Sequence, residues 1–202
     1  TVIPNPRITG AVNQSIPQNS ILITQSLVNT GTAVETITYQ VTPTSATGCS
    51  GVSFNLVVTV KPPIVINGEP FSYNGFGISC FGANDGKIDI NPTGGKLTTD
   101  PAGYTYAWTG PNGFTSTAQD IENLVPGTYT VIVNEGSGIC TQTKTFVVTE
   151  PQPVVITETI SNYNGFEISC FGASDGNINL SVTGGTSTYT YLWTAPLGGL
   201  VP

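Results

Sequence analysis

The residues of this 202-residue chain that could do chemistry are few, and histidine is missing from them altogether. That excludes a histidine-based triad, an imidazole metal site and a histidine general base. Threonine and serine are plentiful but have no such base beside them, and no carboxylate pair is singled out by the motifs for acid–base work. The acids nearest to turns are Asp85, Asp89, Asp120, Glu122 and Asp175. Of these, Asp85 and its counterpart Asp175 are the candidates for Ca²⁺, an ion that takes oxygen ligands. Against them stands the bland reading of solvated turn acids. No DxDxDG loop occurs, and Asn177 and Asn179 replace Lys87 and Asp89 in the second copy. The same replacement removes Lys87 as a repeated isopeptide donor. Overall the chain reads as non-enzymatic, with no cofactor required.

The aromatic residues carry the other candidate chemistry. Tyr104, Tyr106 and Trp108 alternate, so one face receives all three, and that face is expected to be core. Trp193 is expected to fill the same place in a second module. Tyr129, in LVPGTY, is expected to form a tyrosine corner at the start of a strand. Phe76 and Phe114, in glycine-rich loops, are the exposed candidates for stacking on a sugar. They support the alternative of a carbohydrate-binding, calcium-stabilised module.

Composition narrows the setting. Charged residues make up 8% of the chain and the net charge is −7. Five basic residues cannot neutralise a phosphate backbone, which excludes nucleic-acid binding. No apolar run approaches the length of a membrane span. The 31 threonines alternate with Val, Ile and Tyr, as in ETITYQVTP, FNLVVTVKP and GTYTVIVNE. Period-two alternation of β-branched residues describes strands with one buried face. No helical stripe competes with it. The expected fold is all-β, in immunoglobulin-like sandwich modules placed end to end.

Internal repetition sets the boundaries. YNGFGISCFGANDGKIDI at 73–90 returns as YNGFEISCFGASDGNINL at 163–180, an offset of 90. YTYAW at 104–108 returns as YTYLW at 189–193, so the first copy carries about five extra residues in its KLTTDPAG loop. The expected division is a partial sandwich over 1–62, a complete repeat over 63–151 and a partial second repeat over 152–202. Prolines at 62, 63, 151 and 153 stiffen the junctions. Within the complete repeat, strands are expected near 64–67, 77–81, 87–92, 104–109, 114–118, 128–134 and 143–149. The chain begins mid-pattern without Met, and is expected to be an excerpt of a longer protein.

Cysteines stand at 49, 80, 140 and 170. Only the complete repeat holds two, so Cys80–Cys140 is the expected disulfide, with the mates of Cys49 and Cys170 outside these residues. Free thiols and a metal site are the alternatives. A bridge would place the protein in an oxidising compartment.

The strings ISCFGANDGKIDI, TGG, YTYAWTGPNGF, LVPGTYTVIV and GICTQT, ending in TEP, together resemble the SprB repeat of giant gliding-motility adhesins of the Bacteroidota. ITQSLVNTGTAVETITYQVTPTSATGCSG with VVTVKP resembles the PKD-like modules that often precede such repeats. The resemblance implies a stalk segment of a large adhesin in surface adhesion and gliding, exported by type IX secretion and held at the cell surface through its parent protein. The partners it implies are neighbouring repeats, surface polysaccharide and other cell-surface or secretion-system proteins. It implies no chemistry for the repeats themselves.

Overall fold

A computed structural model describes residues 1–13, 24–95, 103–136, 139–186 and 188–194. The KLTTDPAG insertion falls almost wholly outside them. Contacts group the described chain into two units. One is Thr1–Glu69, Asp89–Ile121 and Tyr129–Phe146; the other is Pro70–Ile88, Glu122–Thr128 and Val147–Pro202.

The first strands are β1 (Val2–Ile3), β2 (Ile8–Thr9), β3 (Val28–Asn29), β4 (Glu35–Val41) and β5 (Phe54–Val60). They form one sheet in the order β1-β4-β5 and a small β2-β3 ladder. β4 and β5 pair antiparallel from Glu35↔Val60 to Val41↔Phe54. The buried centre is Ile8, Ile37 and Asn29. Asn29 is affordable there because its amide donates to the carbonyls of Ala33 and Val60 while its oxygen accepts from the Gly31 N–H.

Seven strands follow: β6 (Val65–Pro70), β7 (Gly86–Thr93), β8 (Tyr104–Thr109), β9 (Thr115–Ser116), β10 (Ile121–Leu124), β11 (Gly127–Glu135) and β12 (Thr141–Val148). They make a three-stranded sheet, β10-β7-β6, and a four-stranded sheet, β12-β11-β8-β9. In immunoglobulin lettering these are E-B-A and G-F-C-C′, so the all-β immunoglobulin-like expectation holds. Alternation does the sorting. β7 buries Gly86, Ile88, Ile90 and Pro92 and exposes the residues between. β11 buries Tyr129, Val131, Val133 and Glu135 on its inner face. β11 and β8 pair antiparallel, which sets Val131 opposite Trp108.

Two expected strands differ. Residues 77–81 are turns and bends rather than a strand, because their backbone groups serve a loop closure described below. The expected 114–118 strand shrinks to Thr115–Ser116. β10 was absent from the expectation. Its burial runs buried-exposed-exposed-buried, with Asn123 at φ 59, so it never shows the two-residue period.

The second copy contributes β13 (Val155–Ile160) and β14 (Ile178–Thr183), paired antiparallel from Val155↔Thr183 to Ile160↔Ile178. Their apolar residues Val155, Ile156, Ile160 and Ile178 stay exposed. Trp193, expected in a core, is 46% exposed, whereas Trp108 is 1% exposed. The cover over Trp108 explains the difference. It comes from Phe146 in β12 and the carbonyl of Ala118.

Candidate functional site

The most elaborated local geometry is the 72–85 loop, which is built twice. Asn-Gly is the dipeptide that most readily takes two positive φ angles in succession. Asn74 and Gly75 stand at φ 50 and 94, Asn164 and Gly165 at 52 and 96. Tyr73 accordingly bridges Phe76, and Tyr163 bridges Phe166. Each tight turn is then tied to the acid of the following Asp-Gly. The Tyr73 hydroxyl donates to the Asp85 carbonyl at 3.2 Å, and the Ser79 N–H donates to Asp85 Oδ1 at 3.0 Å. In the second copy Tyr163 donates to the Asp175 carbonyl and Ser169 N–H to Asp175 Oδ1, both at 3.1 Å.

These bonds explain the electrostatics. Hydrogen bonds from Ser79, its side chain first and then its backbone, hold the Asp85 carboxyl below the usual Asp range. Ser169 does the same to Asp175. Both calcium candidates therefore accept bonds that close their own loops. Among the described residues no group of three or more Asp, Glu or Cys side chains comes together as a metal cluster.

The loop of the complete repeat is further anchored to the end of β12. Gly77 N–H donates to the Thr149 carbonyl at 2.9 Å, and Gly82 N–H donates to Glu150 Oε2 at 3.2 Å. A Cβ on Gly77 would stand 2.8 Å from a Val148 methyl, so this contact requires glycine. Cys140, by contrast, stands just before β12. The strand's eight residues lie between it and the segment to which the Cys80 loop is bonded, about 27 Å of extended chain. A disulfide needs Cα atoms within about 7 Å. The expected Cys80–Cys140 bridge is accordingly not formed, and all four cysteines are free thiols.

Of the aromatic ladder expected in the core, Trp108 is buried while Tyr104 and Tyr106 are half-buried. Tyr104 donates to the Gly94 carbonyl at 2.6 Å, Tyr106 to Gln119 Oε1 at 3.1 Å and Trp108 Nε1 to the Ala118 carbonyl at 3.0 Å. Burial raises the pKa of both phenols, with the Asp120 charge adding to the shift at Tyr106. Tyr129 is buried at the start of its strand and meets Phe114 edge-on at 5.3 Å. Phe114 and Phe76 are both half-buried.

Sequence reasoning missed two polar contacts. Lys61 Nζ lies 3.2 Å from Glu135 Oε2, whose side chain is fully buried. A buried Glu at the end of an alternating strand was the available signal. In the first sheet Arg7 and Asn5 both bind Glu35, at 2.9 and 3.0 Å, and the Asn5 bond, then Arg7, lowers its pKa. That trio lines an open groove of about 480 Å³, which contains no nucleophile paired with a base.

Two families match stretches of the chain. The family described as "PKD-like domain" matches residues 1–63, and "SprB repeat" matches residues 78–113 and 167–198. The chain carries a PKD-like domain followed by SprB repeats. No curated protein and no solved structure matches it. SprB repeats belong to cell-surface proteins, and the segment is of adhesin type rather than from an enzyme family. Among the described residues no helix is long and apolar enough to cross a membrane.

Proposed function

We propose that these residues are a stalk segment of a large cell-surface adhesin, divided at about residues 62 and 151 into tandem modules that act by reach and stiffness. The parent protein is exported by type IX secretion and works in adhesion and gliding. The observation carrying this reading is the duplicated Tyr–Asp–Ser loop closure. The same bonds, within 0.1 Å, recur 90 residues apart. What the chain repeats is a means of holding a loop shut, and shape retention is what a stalk requires. Substrate turnover has no place in it.

Stretching the 202-residue chain in a single-molecule force experiment tests the proposal. The complete repeat should open in one step of about 27 nm, since 89 residues extend to roughly 30 nm and a few nanometres are already spanned when folded. Smooth extension without a discrete step would refute a mechanical role. Saturable binding to a glycan array, lost on Phe114→Ala, would favour a carbohydrate-binding module instead.

A further inference from the structure

The two copies of the Ser-Cys-Phe-Gly turn are identical in sequence and differ in surroundings. Ser79, Cys80 and Phe81 of the first copy line a pocket of about 170 Å³ whose other wall belongs to the second copy. That wall is Gln152 and Val154, leading into β13, with Gly185 and Tyr189 following β14. The wall holds its shape through its own bonds. Gly185 N–H donates to the Gln152 carbonyl at 2.8 Å, and the Tyr189 hydroxyl donates to the Gly184 carbonyl. Phe81 is 57% exposed at this wall. Phe171, its counterpart, is fully exposed.

We propose that the Ser79-Cys80-Phe81 turn is the element on which one repeat receives the next, the partner being the entry edge of the following copy. Among the described residues, β13 and β14 pair with each other over six residue pairs, and a two-stranded sheet is marginal by itself in water. The turn lends it an apolar wall from outside its own sequence. This deepens the tandem-module reading and rests on it. It makes the junction a packed contact as well as a proline-stiffened link.

Hydrogen exchange on the 202-residue chain tests the assignment. Phe81→Ala should speed exchange of the β13 and β14 amides about tenfold or more, while the β8 and β11 amides change by less than twofold. Phe171→Ala, within the second copy itself, should leave β13 and β14 unchanged. If the turn packs only within its own repeat, Phe81→Ala will disturb β7 and β12 and spare β13 and β14, which overturns the proposal. Should Phe81→Ala unfold the chain, an NOE between the Phe81 ring and the Val154 methyls in the unaltered protein decides the matter, and its absence is equally fatal. None of these outcomes touches the force curve, so the stalk reading stands or falls separately.

Discussion

The Lys61–Glu135 pair offers the sharpest energetic test of the structure. Glu135 is fully buried on the inner face of β11, and the Lys61 side chain is only 30% exposed. At 3.2 Å the gross attraction is about 5 kcal/mol for an effective dielectric of 20. Removing one partner of a buried pair costs about 3–5 kcal/mol, because the remaining charge keeps its desolvation without its counter-charge. Partial access of water to Lys61 places the expected loss near the lower limit, about 3 kcal/mol. Lys61→Met keeps the length of the side chain and removes the charge. In a module of this size about 3 kcal/mol lowers Tm by roughly 12–24 °C. Trp108 fluorescence in a Trp193→Phe background is a suitable probe, since it leaves the buried Trp108 as the sole tryptophan. Adding Glu135→Gln removes the buried charge, so the double variant should recover about half or more of the loss. A Tm within 2 °C of the parent for Lys61→Met alone would match an exposed, screened pair. That result would refute the burial argument.

Three further outcomes follow from the site geometry. Gly77→Ala places a methyl against Val148 and the Thr149 backbone; urea melts should show a loss of about 1–3 kcal/mol. Asp85 and Asp175 have folded pKa values below their unfolded ones. Their bonds therefore contribute fully above the unfolded value of about 3.9 and are lost as pH falls through the lowered folded value. The Ser79 and Ser169 amide resonances should hold steady from pH 7 to about 4.5 and move together only below pH 4. A titration centred at or above pH 4 would contradict the bonds. Finally, unfolded and non-reduced protein should give four equivalents in a thiol assay. Two or fewer would restore the disulfide.

Strands whose only task is to bury alternate residues were legible in the sequence. Tyr104–Thr109 was expected at its observed bounds, and the cores of β7, β11 and β12 were expected to within two residues. Trp108 and Tyr129 were legible for the same reason, as large residues at inward positions. Where backbone conformation broke the period, reading failed. Asn123 at positive φ hides β10, and the apolar string Gly77–Phe81 looks like a strand although its amides donate to Thr149 and Asp85. Trp193 shows a different limit. Its local sequence matches that of Trp108, but burial is decided by residues distant in the chain. Cysteine spacing likewise gives a count per module and no distance.

The Ala118-Gln119-Asp120 segment shows how so charge-poor a chain keeps a sheet closed. β10 is only four residues long and cannot cover the whole of β7. Just before it, Asp120 Oδ1 accepts the Ile90 N–H at 2.8 Å, and the Gln119 amide donates to the Ile90 carbonyl at 2.6 Å. Two side chains thus stand in for one more residue of strand. The neighbouring Ala118 carbonyl takes the Trp108 indole and Gln119 takes the Tyr106 hydroxyl, which ties the same segment to the opposite sheet. An open edge with unpaired N–H and C=O groups is a template for pairing with another chain, and proteins often guard it with charge. With 8% charged residues, this chain has few charges for that purpose. Satisfying Ile90 with amide and carboxylate side chains gives protection that does not depend on a high surface charge. Threonine-rich modules crowded along one polypeptide are where such protection matters most.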